Sequence, residues 1–288
     1  MSRPAGWRPA LCGLLLVAAT ACVGGGRTGD GPDPHLLVDV ERSRSAAGRG
    51  VLEVRLRTEA GEPFEVIRLQ LLDDRFTVVP PAEKSTPVRA GGVGIVTPIP
   101  AGDVVCDAPR GEGPRMAVTV ATDAGTADLV VPVSAAGDEV LTDLHADACR
   151  RRDLLEAVEV AFGDDWTTTS PATAEGTITL DRGAATEEVV LEAVHGTVIF
   201  TLTVLAPVPE VVLTLPEGES HAEVAVEVSA ARCDPHALIE SKKTYLFPLW
   251  VRAGDDEAIF LTVEPTGAAR TAFEALLAEG CHLEDAGA

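Results

Sequence analysis

Aromatic residues and lysine are both scarce in this sequence. Phe, Trp and Tyr make up 4% of the 288 residues, and only three of the 23 basic residues are lysines. A hydrophobic core therefore has to be built mainly from Val, Leu, Ile and Ala. The formal net charge is −22, and a chain this acidic is poorly suited to bind nucleic acid or an anionic bilayer surface. We expect neither as a partner.

Motifs for catalysis and for cofactors are also missing. The sequence contains no Gly-x-Ser-x-Gly, no His-Glu-x-x-His, no phosphate-binding loop and no dinucleotide fingerprint. Three histidines stand alone, as surface or packing residues usually do: His145, His195 and His221. Three acidic pairs fall at predicted turns and lack the spacing of a calcium loop: Asp73/Asp74, Asp164/Asp165 and Asp255/Asp256. These patterns predict a non-enzymatic protein without a cofactor.

The N-terminus has the parts of an export signal. Two arginines, Arg3 and Arg8, precede an apolar segment at 10–19, which is too short to span a bilayer as a helix. The residues that end this segment resemble a bacterial lipobox: Ala19, Thr20, Ala21 and Cys22. Leucine is more common where Ala19 stands. The resemblance implies removal of residues 1–21, lipid modification of Cys22 and a place on the outer face of the cell membrane, with simple secretion as the alternative.

Residues 22–35 are rich in Gly, Pro and Asp and show no apolar periodicity. Such a composition is typical of a flexible tether. Beyond it, short runs of alternating residues dominate; Leu52, Val54 and Leu56, for example, alternate with charged residues. Period-two alternation places one face in a core and the other in water, as in antiparallel sheets. Many such runs separated by Gly, Pro and Asp turns favour a sandwich or a barrel.

The spacing of the cysteines indicates an internal repeat. Cys106 and Cys233 lie 127 residues apart, and each is followed by Asp. The same shift places residues 64–80 over 191–207, two apolar runs that each end at a proline. In both halves the first cysteine is followed by a strand, a turn, a strand, a short helical segment and a second cysteine. A repeated unit of this kind predicts two domains rather than one.

We therefore predict a mainly β protein with two tandem Ig-like antiparallel β-sandwich domains, each with a short helix and one disulfide. The first domain is expected over residues 36–165 and the second over 175–288, with the boundary inside the polar segment 163–176. The expected helices cover 138–149 and 267–281.

The repeat also selects a disulfide pairing, Cys106 with Cys149 and Cys233 with Cys281. An exported chain meets an oxidising compartment, where disulfides persist. Closing each loop would stabilise its domain by about 4 kcal/mol on the chain-entropy model. A zinc or copper site is the alternative, with these ligands: Cys233, His236, Cys281 and His282. The first copy has Pro109 and Arg150 in place of the two histidines, which favours a disulfide in both copies.

The second copy is five residues longer between its first cysteine and its hairpin. The excess falls at residues 237–243, which we expect to form an exposed loop or extended hairpin with Glu240, Lys242 and Lys243 as interaction residues. A basic run at 150–153, Arg-Arg-Arg-Asp, is the other distinctive surface feature. It either pairs with the acidic surface of the same protein or offers a site for an anionic partner such as a wall polymer.

The stretch CDPHALIESKKTYLFPLWV resembles a motif of uncharacterised exported proteins and lipoproteins of actinobacteria, in which Cys-Asp-Pro-His-Ala precedes a charged segment and an apolar strand. The likeness covers roughly residues 220–265. That family has no assigned activity. The resemblance therefore implies an extracytoplasmic location and an actinobacterial origin, and it implies no reaction.

The expected function is therefore binding of an envelope protein or a wall polymer by a module attached to the membrane through its lipid anchor only. Two alternatives follow from the same residues. One is a metal-binding lipoprotein that uses the Cys/His group. The other is a cell-wall hydrolase, which needs two carboxylates across a groove, and the sequence identifies no such pair.

Overall fold

The computed structural model of the chain describes residues 35–43, 50–109, 111–205 and 211–281. The expected export signal, the expected acylation site Cys22, nearly all of the expected tether and His282 lie outside these ranges, so the expectations for them stay predictions. Among the residues that the structure describes, no helix is both long and apolar enough to cross a bilayer.

The first domain contains seven strands followed by one helix. Its elements are β1 (Leu36–Glu41), β2 (Val51–Thr58), β3 (Phe64–Leu72), β4 (Ala82–Val88), β5 (Ile95–Pro100), β6 (Arg115–Thr122), β7 (Gly125–Pro132) and α1 (Ala135–Ala157). The strands form two sheets, in the orders β1-β2-β5 and β4-β3-β6-β7. All neighbouring strands within these sheets run antiparallel.

The second domain repeats this plan with two further strands and a short additional helix. Its elements are β8 (Val158–Phe162), β9 (Thr167–Ser170), β10 (Thr173–Arg182), β11 (Val189–Val194), β12 (Phe200–Val204), β13 (Leu213–Leu215), β14 (His221–Ala230), α2 (Pro235–Glu240), β15 (Phe247–Ala253), β16 (Ile259–Val263) and α3 (Gly267–Gly280). The sheet orders are β12-β14-β10-β8, with β9 paired to β10, and β13-β11-β15-β16.

Strand order shows which elements correspond in the two copies. The trio β8, β10 and β14 takes the places of β1, β2 and β5, while β11, β13, β15 and β16 take those of β3, β4, β6 and β7. The correspondence extends to detail, because β3 has a register shift between Val66 and Arg68 and β11 has one between Leu191 and Ala193. The structure thus confirms two tandem Ig-like sandwiches, each followed by a helix.

Each domain has its own hydrophobic core between its two sheets. In the first, Leu52, Val54 and Leu56 of β2 are at most 3% exposed, as their alternation predicted. The second core contains most of the few aromatic residues, with Phe273 of α3 in edge or tilted contact with Phe162, Trp166, Phe200 and Phe247. The scarce aromatic residues are therefore concentrated in one domain, while the first core is chiefly aliphatic.

Helix α1 begins at the first sandwich and ends at the second. The hydroxyl of Ser134 accepts a hydrogen bond from the Gly137 N–H at 3.0 Å, which caps the helix. A Cβ at Gly137 would lie 2.7 Å from the Val40 backbone nitrogen, so only glycine allows the helix to approach β1 this closely. At its other end α1 passes directly into β8, with Val158 as the C-cap.

This continuity corrects the predicted domain boundary. Strand β8 was assigned to the first domain, but it pairs with β10 of the second, and Leu154, Val158 and Phe162 belong to the second core. The boundary between the cores therefore lies in α1, not in residues 163–176. Alternation within β8 correctly indicated a strand, but alternation alone does not identify the partner of a strand.

The alignment of the two copies also needs correction. A shift of 127 residues placed Phe76 over Thr203, whereas the structure makes Phe76 equivalent to Phe200. Phe76 forms a single antiparallel bridge with Val104, and Phe200 pairs with Ala230 at the start of β12. The loops between the strands differ in length in the two copies, so a single shift cannot align the whole unit.

The aromatic packing gives a stability prediction. Replacing Phe273 by Ala should lower the free energy of unfolding by about 3–5 kcal/mol, because the side chain is fully buried and its removal leaves a cavity. Urea denaturation followed by tryptophan fluorescence measures this, since the Trp166 indole lies 4.8 Å from the Phe273 ring. Phe260, which is 43% exposed, provides the control. Equal losses in the Phe260→Ala and Phe273→Ala proteins would contradict the assigned core.

Candidate functional site

Both predicted disulfides are present. The Cα atoms of Cys106 and Cys149 are 5.5 Å apart, and those of Cys233 and Cys281 are 5.0 Å apart. In the metal alternative, Cys233 and Cys281 were to act as thiolate ligands, but their sulfurs are bonded to each other. Within the described ranges, no group of three or more His, Cys, Asp or Glu side chains is placed to hold a metal ion.

The segment after Cys233 is helical, which corrects the expectation of a loop or extended hairpin. The Asp234 carboxylate accepts a hydrogen bond from the Ala237 N–H at 2.9 Å and Pro235 occupies the first turn, so α2 has a capped start. This backbone hydrogen bond, followed by the one from Arg232, lowers the pKa of Asp234. Glu240 is the last residue of α2, and Lys242 and Lys243 are exposed in the turn that follows.

This inserted segment covers part of the second sandwich. Ala237 is 5% exposed, and Leu238 and Tyr245 pack against the second core. The Tyr245 ring lies 5.7 Å from that of Phe200, and the Arg270 guanidinium of α3 lies 3.7 Å above the Tyr245 ring centre. Burial raises the pKa of the Tyr245 hydroxyl, and the Arg270 charge opposes this effect. The segment between Cys233 and β15 thus closes the space between the start of β12 and α3.

In the first domain the equivalent space is open. Its segment between Cys106 and β6 is shorter and contains no helix. A cleft of about 900 Å³ lies there, bounded by the connection after β3, the segment after Cys106 and one face of α1. The lining residues are Leu72, Asp73, Asp74, Arg75, Phe76, Thr77, Val78, Ala108, Pro109, Gly111, Glu112, Gly113, Arg115, Asp138, Thr142 and His145. Val78 on its rim is 72% exposed.

Arg75 joins two walls of this cleft. Its Nη2 lies 2.7 Å from Asp73 Oδ2 and 2.7 Å from Asp138 Oδ1, and its Nη1 donates to the Thr142 hydroxyl at 2.6 Å. The hydrogen bonds to Asp73 and then Asp138 raise the pKa of Arg75, against the effect of its partial burial. The side chains of Asp73 and Arg75 are only 5% and 20% exposed. The guanidinium therefore ties the loop after β3 to helix α1.

The second copy shows what Arg75 replaces. Asp73 Oδ1 accepts the Arg75 N–H at 3.0 Å, and Thr197 Oγ1 likewise accepts the Ile199 N–H at 3.1 Å. The two turns are therefore equivalent, and Arg75 stands where the second domain has the fully buried Ile199. The first domain thus has a charged, partly exposed clamp at a position that its sister copy uses for packing.

The cleft carries an excess of negative charge. Among its lining residues, Asp73, Asp74, Glu112 and Asp138 face two guanidiniums, those of Arg75 and Arg115. Arg115 itself lies 3.2 Å from Glu112. A Cβ at Gly111 would lie 2.2 Å from Asp74 Oδ2, so glycine allows this loop to approach the acidic wall. An acidic concave surface favours ligands that carry positive charge.

The other residues singled out in the sequence lie apart from one another. His195 contacts Trp250 edge to face, and His221 lies 2.7 Å from Asp181, whose hydrogen bond raises the pKa of His221. Of the three histidines only His145 reaches the cleft. The acidic residues at 164–165 and 255–256 are exposed.

The basic run at 150–153 lies within α1. Arg150 pairs with Asp147 and Arg152 with Asp153, at 2.6 Å and 2.7 Å. These two arginines of the run thus contact acidic groups of the same helix. Arg151 instead lines a separate groove between α1 and β16.

The sequence matches no protein-family model and no curated protein. Solved structures show a remote likeness. Escherichia coli alpha-2-macroglobulin activated by porcine elastase is 11% identical with a TM-score of 0.24, over 81% of this chain and 22% of that chain. The exo-chitosanase CsxA of Amycolatopsis orientalis is 11% identical with a TM-score of 0.19, over 78% of this chain and 26% of that chain. The chain spans a minor part of either protein, and its fold is assigned from its own strand order and registers.

The Arg75 clamp gives a second stability prediction. Arg75→Ala leaves the buried Asp73 carboxylate without its cation and should lower the free energy of unfolding by about 3 kcal/mol. Hydrogen exchange with mass spectrometry, read on peptides of β3 and β6, measures the change. The double variant Asp73→Thr/Arg75→Ile introduces the residues of the second copy and should recover more than half of the loss. A double variant as unstable as Arg75→Ala would show that the two turns are not equivalent.

Proposed function

We propose that this chain is a non-enzymatic binding module of the cell envelope and that its binding site is the cleft of the first domain. One observation carries the proposal. Two copies of the same unit differ at the same place, where the second is closed by α2 and Tyr245 and the first is left open. The first domain keeps this site open, with Arg75 between two of its walls and the exposed Val78 on its rim. Such a site is suited to binding another molecule.

Separate evidence supports the cellular location of the module. Two disulfides are typical of an extracytoplasmic protein, because the cytosol keeps thiols reduced. The lipobox-like residues up to Cys22 support attachment to the outer face of the membrane by a lipid anchor. A secreted form without the anchor would place the same cleft outside the cell.

The second domain indicates the kind of partner that fits. There the corresponding space is occupied by a polypeptide segment with a short helix and an aromatic ring. In the first domain the four carboxylates outnumber the two guanidiniums. We therefore assign the cleft to a basic segment of an envelope protein, with a wall polymer as the other outcome of the test.

Two of the four carboxylates of the cleft have a structural use, which supports binding rather than hydrolysis. Glycosidases place two carboxyl groups on opposite sides of the bond to be cleaved, with space for the sugar between them. Here Asp73 and Asp138 both contact the same Arg75 nitrogen. Their shared partner holds the loop and the helix together, which is a structural use of both groups.

Site-specific photo-crosslinking on intact cells tests the proposal. A photoreactive residue at Val78, on the rim of the cleft, should yield a defined adduct that mass spectrometry identifies. The same probe at Phe260, an exposed residue of the second domain, should not. Arg115→Glu, on the opposite wall, should strengthen the Val78 adduct with a basic partner, because it removes a positive charge.

A third probe position separates the alternatives. Lys243 lies in the exposed turn after α2, the region that the sequence favoured for interaction. An adduct from position 243 without one from position 78 would contradict the cleft and assign binding to that turn. A wall-polymer adduct at position 78 would keep the site and change the partner class. Turnover of a wall polymer by the purified chain would contradict the non-enzymatic assignment.

A further inference from the structure

The two disulfides have different polar neighbours. In the first domain, His145 precedes Cys149 by one helical turn in α1, and its Nε2 lies 3.7 Å from Cys149 Sγ. The same Nε2 lies 3.1 Å from the carbonyl oxygen of Val105. A carbonyl oxygen only accepts hydrogen bonds, so Nε2 must carry the proton to make this contact. A proton donor therefore stands beside the sulfur of Cys149.

In the part of the chain that the structure describes, the second disulfide has different neighbours. The residue one helical turn before Cys281 is Leu277, which packs against the second core. A polar atom close to Cys233 Sγ is the carbonyl oxygen of Gly280, at 3.7 Å. A carbonyl oxygen cannot stabilise negative charge on sulfur, whereas an N–H group can. Breaking the first disulfide to a thiolate is thus favoured relative to breaking the second.

The first disulfide also adjoins residues that line the open cleft. Cys106 lies in a turn, and Ala108 and Pro109 immediately after it line the cleft, as does His145. An incoming thiol can therefore reach the region of Cys106 from the cleft. In the second domain the segment after Cys233 continues into α2, whose Ala237 is buried against the second core.

We propose that Cys106–Cys149 is a thiol–disulfide exchange site whose co-substrate is an exported dithiol, while Cys233–Cys281 is a structural bridge. A thiolate of the dithiol attacks Cys106 Sγ, and the bond to Cys149 Sγ breaks. Cys149 leaves as a thiolate that accepts a hydrogen bond from the His145 Nε2–H group and then takes a proton from solvent. The second thiol of the partner then attacks the mixed disulfide, which releases reduced Cys106 and an oxidised partner. Two electrons pass from the dithiol to the disulfide.

Reduction would act on the cleft. The bridge ties the segment after Cys106, which forms one wall of the cleft, to α1, which forms another. Without it the wall keeps the backbone hydrogen bond from Val105 N–H to the Arg75 carbonyl at 2.8 Å, and the residues beyond Cys106 lose their covalent tie. This consequence for ligand binding rests on the proposed function, whereas the exchange chemistry does not.

Timed reduction of the purified, oxidised chain with dithiothreitol tests the proposal. Differential alkylation followed by peptide mass spectrometry gives the reduction rate of each disulfide in the same sample. Cys106–Cys149 should be reduced about tenfold faster than Cys233–Cys281, because a thiol whose thiolate is stabilised is the better leaving group. Equal rates, or faster reduction of Cys233–Cys281, would overturn the proposal.

Substitutions at position 145 test the role of the imidazole. His145→Leu introduces the residue of the second copy and should slow reduction of Cys106–Cys149 about tenfold, without changing Cys233–Cys281. His145→Gln keeps an N–H donor and should retain part of the rate. His195→Leu, at a histidine whose ring contacts Trp250, is the control and should change neither rate. An unchanged Cys106–Cys149 rate in His145→Leu would refute the assignment of His145, and these rates are independent of any crosslink from position 78.

Discussion

Leu141 in α1 and Phe273 in α3 are fully buried, and each helps to seat its helix on its sandwich. The disulfide follows eight residues later in both helices, at Cys149 and at Cys281. Packing thus fixes the helix at one point, and the covalent bond fixes it again about two turns further on. The helix held in this way contributes a wall of the cleft and the partners Asp138 and Thr142 of Arg75, and in the second domain it places Arg270 over Tyr245.

From this shared frame the two copies have diverged in the segment that follows the first cysteine. The second copy uses its additional residues to form α2 and to bring Tyr245 against Arg270, so that its surface is completed by its own chain. The first copy uses Arg75 in place of Ile199 and connects its loop to α1 through charge. The second domain therefore covers this surface with its own chain, while the first domain keeps an exposed polar cleft. On this difference we assign binding to the first domain.

Much of the fold could be predicted from local patterns. Alternation identifies strands such as β2, and the repeated spacing of the cysteines selected the correct pairing. The boundary could not be predicted, because β8 alternates like any strand and its partner β10 is only visible in three dimensions. Helix α2 had a readable signal, Asp234 followed by Pro235, but the additional residues of the second copy were expected to form a loop or an extended hairpin.

The cleft was inaccessible to sequence reasoning for a different reason. Its central contact joins Arg75 to Asp138, 63 residues away, and no local pattern relates the two. The equivalence of Arg75 and Ile199 would have marked the position, since a buried aliphatic residue rarely aligns with arginine. A uniform shift of 127 residues hid it by aligning Arg75 with Leu202.

The direct passage of α1 into β8 has a mechanical consequence. A helix of 23 residues is about 34 Å long and behaves as a stiff rod. Its first half carries Asp138 and Thr142 at the cleft, and its last turns place Leu154 in the second core. With no hinge residues between the helix and the strand, a tilt of the rod at the cleft turns the second sandwich with it. A movement of α1 at the cleft can therefore change the direction in which the second sandwich points.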